Sequence, residues 1–322
     1  MKAAFVGRVA ARGAPGILAK MTGKLDATIL ADEGDAQRLI PALAEAELVV
    51  SHVWRPDFPP APKLRLLQSA TAGIDLIDLP SVPPGTTICN VFGHEPAIAE
   101  YIMMTMLALT HRLFDTVSAF RGGSWLDGPG GAPHGEILGS TIGILGYGRI
   151  GREVARRAVG FGCRVIAANR SRVADKGDAS EIYPLADLDR MLPQCDALVI
   201  AAGLAPETRG LIDARRLALM KPTAVLINIG RAAIVDEEPL YVALRDKKLG
   251  GAALDVWWRY PAPGTPDPRP SAFAFHELPN VLMTPHCSSS TEATRDRRWA
   301  QAAGNLDRFV CGEALHNVVA VT

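Results

Sequence analysis

One stretch constrains this chain more than any other: Ser140-Thr141-Ile142-Gly143-Ile144-Leu145-Gly146-Tyr147-Gly148-Arg149-Ile150-Gly151. An apolar run ends at Gly146, glycines follow at the G-x-G-x-x-G spacing, and a helical pattern begins. In that pattern Ile150, Val154, Ala155, Ala158 and Val159 fall on one face. The first glycine permits a tight turn, and the second lets backbone approach a pyrophosphate. The third (Gly151) lets helix and strand pack closely, with the phosphates at the helix N-terminus. A second apolar run at 164–168 completes strand, glycine turn, helix and strand, the context in which this spacing binds a dinucleotide. The expected cofactor contacts here are Gly146, Tyr147, Gly148, Arg149, Ile150 and Gly151.

The chain has 322 residues, room for two domains. Its 34 Lys and Arg balance 34 Asp and Glu, which argues against a nucleic-acid or anionic-membrane partner. Cys89, Cys163, Cys195, Cys287 and Cys311 show no C-x-x-C and no metal-ligand spacing, and read as reduced thiols of a cytoplasmic protein with no metal site. No apolar run reaches the roughly 18 residues of a membrane span. The N-terminus opens as a short strand at 2–6 rather than as a targeting segment.

Before the glycine turn, short apolar runs at 3–6, 28–30, 48–50, 64–67 and 86–90 alternate with helical or loop segments, as in a small α/β domain. The small-residue turn 68–75 after one of them is either an anion-binding nest of backbone N–H groups or a plain strand-to-helix turn. A long apolar helix is expected over 98–120, with Met103, Met104 and Met106 as packing, followed by a Gly/Pro-rich loop over 121–133. Beyond the second strand, runs at 198–201, 224–229, 251–256 and 281–283 continue the alternation. That alternation marks a doubly wound parallel sheet, whose ligands sit at the carboxyl ends of the strands.

Those ends carry the candidate chemistry. The second strand of the fingerprint ends in Asn169-Arg170-Ser171, without the carboxylate that normally receives the ribose hydroxyls of NAD. Arg170 is suited to pair with a 2′-phosphate and Ser171 to donate to it, so NADP is expected over NAD. A later strand ends in Asn228-Ile229-Gly230-Arg231, with Ile229 and Gly230 beside the cofactor. Arg231 either clamps a carboxylate and polarises a carbonyl or makes a surface ion pair. His286, after Thr284-Pro285, is either a proton donor or a structural imidazole, and Asp255 either faces the nicotinamide or caps a turn.

Together these residues resemble the D-isomer-specific 2-hydroxyacid dehydrogenases, which include glyoxylate/hydroxypyruvate reductases, phosphoglycerate dehydrogenase and formate dehydrogenase. The resemblance runs through Ala72-Gly73-Ile74-Asp75, Ala99-Glu100, the glycine turn, Asn228 to Arg231, Leu254-Asp255-Val256 and Thr284-Pro285-His286, to a closing helix around Trp299. It implies two doubly wound (Rossmann/flavodoxin-like) α/β domains with parallel sheets. The substrate domain would comprise 1–97 plus 290–322, the dinucleotide-binding domain 98–289 would be inserted in it, and two long helices would serve as hinges. By resemblance, the Ala72 and Gly73 amides hold a substrate carboxylate, Arg231 clamps it, His286 is the acid/base and Asp255 holds the nicotinamide carboxamide. A homodimer is implied, with the loop around Trp125 as a contact.

One departure stands out. The family usually carries a glutamate five residues after the aspartate matching Asp255, hydrogen-bonded to the histidine; here Tyr260 stands there. A phenol orients an imidazole but supplies no charge to stabilise imidazolium. Since one pKa unit is about 1.4 kcal/mol, losing that support leaves His286 largely neutral at neutral pH, and reduction of a ketone is expected to be slower or to favour mild acid. The leading expectation is NADPH-dependent reduction of a small 2-keto acid, of the glyoxylate/hydroxypyruvate class, to the D-2-hydroxy acid. Formate-type hydride abstraction without a base is the alternative, because formate dehydrogenases also lack this glutamate, although they carry asparagine where this chain has His94. His94 either enters the substrate pocket or caps the helix after it. A cofactor-binding scaffold or corepressor with little activity is the third reading. Trp54, Arg55, Trp257 and Trp258 either line the substrate pocket or pack.

Overall fold

A computed structural model describes residues 1–125, 128, 131, 133–261 and 269–322. The chain divides into two compact units: Met1–His94 with Ser290–Thr322, and Glu95–Ser289. The first begins β1 (Lys2–Val6), α1 (Arg8–Lys20), β2 (Asp26–Leu30), α2 (Ala36–Glu45), β3 (Leu48–Val50), β4 (Leu66–Gln68) and β5 (Thr87–Cys89). The second holds α3 (Glu95–Thr110), α4 (Leu113–Arg121), β6 (Thr141–Leu145), α5 (Arg149–Gly160), β7 (Arg164–Asn169), β8 (Glu181–Pro184) and α6 (Leu188–Met191). It continues with β9 (Ala197–Ile200), α7 (Ala214–Leu217), β10 (Val225–Asn228), α8 (Glu237–Arg245), β11 (Gly251–Leu254) and β12 (Val281–Met283). The chain then returns to the first unit with α9 (Glu292–Cys311) and β13 (Val318–Val321).

In the second unit the sheet order is β12-β11-β10-β9-β6-β7-β8, and every pairing is parallel. Successive side chains of a strand point to opposite faces, so each strand feeds two cores. Ile142, Ile144, Val165 and Val199 pack with Ile102 and Met106 of α3 and Val154, Ala155 and Ala158 of α5. Leu145, Ile166, Leu198 and Leu226 pack on the other face with Met191, Leu240 and Leu244. Because both faces are covered, the strands read as continuous apolar runs. The direction of winding reverses between β6 and β9, and this crevice is where such sheets bind ligands.

The first unit has the order β13-β5-β4-β3-β1-β2, parallel except for β13, which runs antiparallel to β5. One face packs on α2 through Leu39 and Leu43. The other packs on α1 and α9 through Ala10, Ile17, Ala302 and Leu306.

The structure departs from the sequence expectations in four respects. The single helix expected over 98–120 is two. Thr110 O accepts from Gly135 N at 3.2 Å, Arg112 takes a left-handed φ of 52°, and α4 starts beyond it. Met103 and Met106 are core, but Met104 is 57 % exposed. The edge strands β8 and β13 have no counterpart among the expected runs. The run expected at 64–67 pairs only from Leu66, since Leu64 N turns back to Ala61 O. Of the loop expected over 121–133, positions 126, 127, 129, 130 and 132 lie outside the described residues. Trp125 is 61 % exposed and meets Phe120 edge-on, with ring centroids 5.1 Å apart. Among the described residues no helix is long and apolar enough to cross a membrane.

Candidate active site

The glycine turn joins β6 to α5 at the point where the winding reverses. Gly146 has a φ of 98°, and a Cβ there would lie 2.6 Å from Ala202 N, so neither the backbone conformation nor the space admits a side chain. A Cβ on Gly151 would lie 2.5 Å from Gly146 O, which is the close helix–strand contact that the fingerprint demands. Gly148 differs: a Cβ there meets nothing within 4 Å. Gly148 is also the N-cap of α5, where no side chain caps the helix and the first turn holds no acid. A bare helix N-terminus beside open space fits a pyrophosphate.

Next to it lies a cleft of about 290 Å³, whose walls include Gly146, Gly148, Asn169, Arg170, Ser171, Ala202 and Thr208. Asn169 Oδ1 accepts from Tyr147 N at 3.1 Å and its Nδ2 donates to Ser171 O at 2.9 Å, tying the ends of β6 and β7 together. Arg170 reaches Glu207 across 3.9 Å, both exposed. Tyr147 is buried, its hydroxyl donating to Lys176 O and accepting from Ala179 N. Its ring therefore holds the 176–179 segment, and only its backbone remains for a ligand. Ile229 is likewise core, and Gly230 passes Ala202 O so closely that a Cβ would stand 2.6 Å away.

These contrasts give an expected outcome. Gly146→Ala should cost several kcal/mol and lower the melting temperature. Gly148→Val should leave it within about 2 °C while weakening dinucleotide binding about tenfold or more. Thermal melts and fluorescence titration of the same two variants check both halves.

The second cluster sits at the ends of β10, β11 and β12. Asp255 is fully buried and accepts from Thr284 Oγ1 at 2.6 Å, Cys287 N at 2.8 Å and Ser288 N at 2.9 Å. Of the two roles open to it, capping a turn is the one its contacts display, and the turn is the one that carries His286. Tyr101 of α3 braces the same turn through Thr284 Oγ1 at 2.6 Å, and Trp257 Nε1 donates to Thr284 O at 2.8 Å. His286 is exposed and takes a φ of 56°, and its ring points Nδ1 at the Tyr260 hydroxyl, 2.9 Å away. Crowding by surrounding protein pushes the imidazole pKa below its ordinary value. The Asp255 carboxylate opposes this and the Arg231 guanidinium adds to it. Burial pushes the Tyr260 phenol up, against the pull of the Trp257 N–H and Arg231. Arg231, half-buried, donates from Nη1 to Gly230 O at 2.9 Å, and its field reaches both His286 and Tyr260. Arg231, Asp255, Tyr260 and His286 are thus one electrostatic cluster.

The first unit has its own concentration of donors at the ends of β4 and β5. Thr71 O accepts from Ser69 Oγ and Val91 N, Ala72 O from Asn90 Nδ2 at 2.7 Å, and Gly73 O from Thr71 Oγ1. With its carbonyls engaged inward, the turn leaves the Ala72 and Gly73 N–H groups without a protein acceptor among the described residues. His94 is buried and stacks on Phe92 at 6.4 Å, with the planes 14° apart.

Residues 103–288 match the model of the D-isomer specific 2-hydroxyacid dehydrogenase NAD-binding domain. The chain is 36 % identical over 270 residues to a glyoxylate reductase of Thermococcus onnurineus, covering 80 % of this chain and 76 % of that one. It belongs to the D-isomer specific 2-hydroxyacid dehydrogenase family. A glyoxylate/hydroxypyruvate reductase B of Pectobacterium atrosepticum is 35 % identical over 289 residues, 87 % of each chain. The NADPH-dependent glyoxylate/hydroxypyruvate reductase of Sinorhizobium meliloti, solved with NADP and sulfate, superposes with a TM-score of 0.79. It is 27 % identical, over 99 % of this chain and 97 % of that one.

For this member of the 2-hydroxyacid dehydrogenases, sequence reading passed over three site features. Ala202 and Thr208 line the cleft because they follow β9 at the crevice, a position their place in the alternation already signalled. Thr208 Oγ1 accepts from Ala205 N and donates to Gly203 O, shaping that wall. Tyr101, one apolar position among many in α3, gave no signal that its hydroxyl would brace the histidine turn.

Proposed function

We propose that this dehydrogenase reduces a small 2-keto acid to the D-2-hydroxy acid, with NADPH as the preferred cofactor and glyoxylate or hydroxypyruvate as the substrate class. The observation that carries the reading is the cluster at the ends of β10 to β12, where a guanidinium and an imidazole share one electrostatic environment in the dinucleotide-binding unit. A bound reduced nicotinamide supplies a hydride. The Gly146–Gly151 turn and the bare start of α5 hold the pyrophosphate, and Asn169, Arg170 and Ser171 border the adenosine ribose. Arg231 binds the substrate carboxylate with its planar fork and polarises the keto oxygen. His286 delivers the proton. The Ala72 and Gly73 amides of the other unit are donors of the kind a carboxylate takes.

Arg170 carries the NADPH preference, with Glu207 as its partner when no 2′-phosphate is present. The test is a spectrophotometric screen of glyoxylate, hydroxypyruvate, pyruvate and bulkier 2-keto acids, each with NADH and NADPH. Turnover with NADPH is expected, and Arg170→Ala should raise the KM for NADPH about tenfold while leaving that for NADH unchanged. NADPH formation from formate that survives His286→Gln would favour hydride abstraction without a base instead.

A further inference from the structure

Tyr260 has been placed beside His286 as a neutral substitute for a carboxylate. The direction of its hydrogen bonds gives it a larger part. A phenol oxygen carries one hydrogen and accepts well on its remaining in-plane side. Here the Trp257 backbone N–H donates to that oxygen at 3.3 Å, and the Tyr260 oxygen lies 2.9 Å from His286 Nδ1. An N–H has nothing to accept with, so the acceptor side of the phenol is spoken for and its own hydrogen is left to point at Nδ1. An imidazole that accepts at Nδ1 is neutral and carries its proton on Nε2, which is the tautomer that presents a donor to substrate.

We propose that Tyr260 and His286 form a proton relay in which the Tyr260 hydroxyl, acting through the imidazole, is the source of the proton that completes reduction. The inference rests on the 2-keto acid reductase reading. Once the carbonyl carbon has gained its hydride, the carbonyl oxygen holds the displaced electron pair as an alkoxide. The Nε2–H bond breaks and its proton goes to that oxygen. In the same event the Tyr260 O–H bond breaks, its proton passes to Nδ1, and the imidazole stays neutral with its tautomer reversed. An alkoxide is a stronger base than a phenolate, so the transfer runs downhill. Tyr260 is left as a phenolate that burial and the Asp255 carboxylate disfavour and that the Trp257 N–H and Arg231 offset in part. The cycle closes when a solvent proton binds Nε2 and the Nδ1 proton returns to the phenolate oxygen. Residue His286 is exposed and Tyr260 is 47 % exposed, so solvent reaches the pair.

The relay also accounts for the cluster's electrostatics. The charged groups facing the imidazole are Asp255 and Arg231, with Tyr260 at Nδ1 and the Cys287 thiol next in the chain. Crowding, with Arg231 adding to it, outweighs the Asp255 carboxylate and favours the neutral ring. A lone neutral imidazole is a poor acid, and reduction would fade above mild acid. With a phenol behind it, the imidazole need never be imidazolium, and reduction holds its rate through neutral pH.

Three measurements on the full-length protein test this. In wild type, long-range nitrogen–proton NMR at about pH 8 should show neutral His286 protonated on Nε2. Proton inventories of kcat in mixed light and heavy water should be curved, because two protons move. Tyr260→Phe should lower kcat at about pH 8 by roughly 10²-fold with KM within about twofold. Its rate should recover toward about pH 5.5, where solvent-derived imidazolium takes over, and its inventory should be linear. Tyr260→Glu should restore the rate at neutral pH, with imidazolium in the NMR spectrum and a linear inventory. A Nδ1-protonated His286 in wild type overturns the relay whatever the rates, as does a Tyr260→Phe enzyme within about twofold of wild-type kcat at every pH. A wild-type enzyme that reduces no 2-keto acid with either cofactor overturns the functional reading itself, a failure distinct from the other two.

Discussion

Arg231→Ala is expected to lose about 10²–10³-fold in kcat/KM for 2-keto acid reduction, with the fold intact. The half-buried guanidinium stands at the carboxyl end of β10 and charges the space around His286 and Tyr260. Truncation removes both the fork that matches a carboxylate and the positive field that favours negative charge on the reacting oxygen. Arg231→Lys separates the two contributions. A lysine keeps the charge but not the bidentate geometry, so it should recover only part of the loss. The His286 pKa in Arg231→Ala carries a sign. Arg231 pushes it down, so removal of the guanidinium lets it rise, a change that NMR titration of the imidazole reads. Steady-state kinetics across pH decide the matter, and near-normal turnover in Arg231→Ala would remove the assignment.

The second large effect belongs to Asp255, through the turn it holds. Its buried carboxylate takes three hydrogen bonds from Thr284, Cys287 and Ser288, the segment on which His286 sits at a φ of 56°. A non-glycine residue in that region needs its neighbourhood to hold it there. In Asp255→Ala the Cys287 and Ser288 N–H groups lose their acceptor, a loss of about 2–4 kcal/mol, equivalent to a drop of roughly 5–10 °C in melting temperature. Turnover should fall further than stability does, because the released turn no longer aims the imidazole. The charge effect has the opposite sign to that of Arg231: Asp255 supports protonation of His286, so its loss drives that pKa lower. Calorimetry and NMR titration of His286 in the purified variant read the two effects separately. An unchanged melting temperature would show that the carboxylate does not hold the turn.

What the sequence disclosed, and what it withheld, follows from the range over which each feature is determined. The glycine turn was legible because its demands are local: Gly146, Gly148 and Gly151 lie within six positions, the first and third meeting close backbone and the second leaving space open before the helix N-terminus. The alternation of apolar runs was legible for the same reason, since a strand buried on both faces is written in its own residues. The end of α3 was not. Leu107 to Phe120 remain apolar enough to continue a helix, but α3 ends where Thr110 O takes the Gly135 N–H from 25 positions away and Arg112 turns left-handed. Strand β13 is four residues of an exposed edge whose partner, β5, lies more than two hundred positions earlier. At the site, the chemical classes were legible from strand ends, but not their connections. Only the fold shows Tyr147 and Ile229 spent on packing, and Asp255 spent on the turn beneath His286.

The antiparallel pairing of β13 with β5 sets an order on biosynthesis. The second unit is one continuous segment and has all its strands once Ser289 has left the ribosome. The first unit starts before it, yet one of its faces waits for α9 and its edge for β13, where Val318 meets Cys89 and Val321 meets Thr87. Strands β1 to β5, five of the six, must therefore persist unfinished, with one flank of β5 unpaired, while the inserted domain is synthesised and folds. Exposed strand edges are where nascent chains associate wrongly. The brevity of β5, three residues between loops, limits that hazard until β13 has been made.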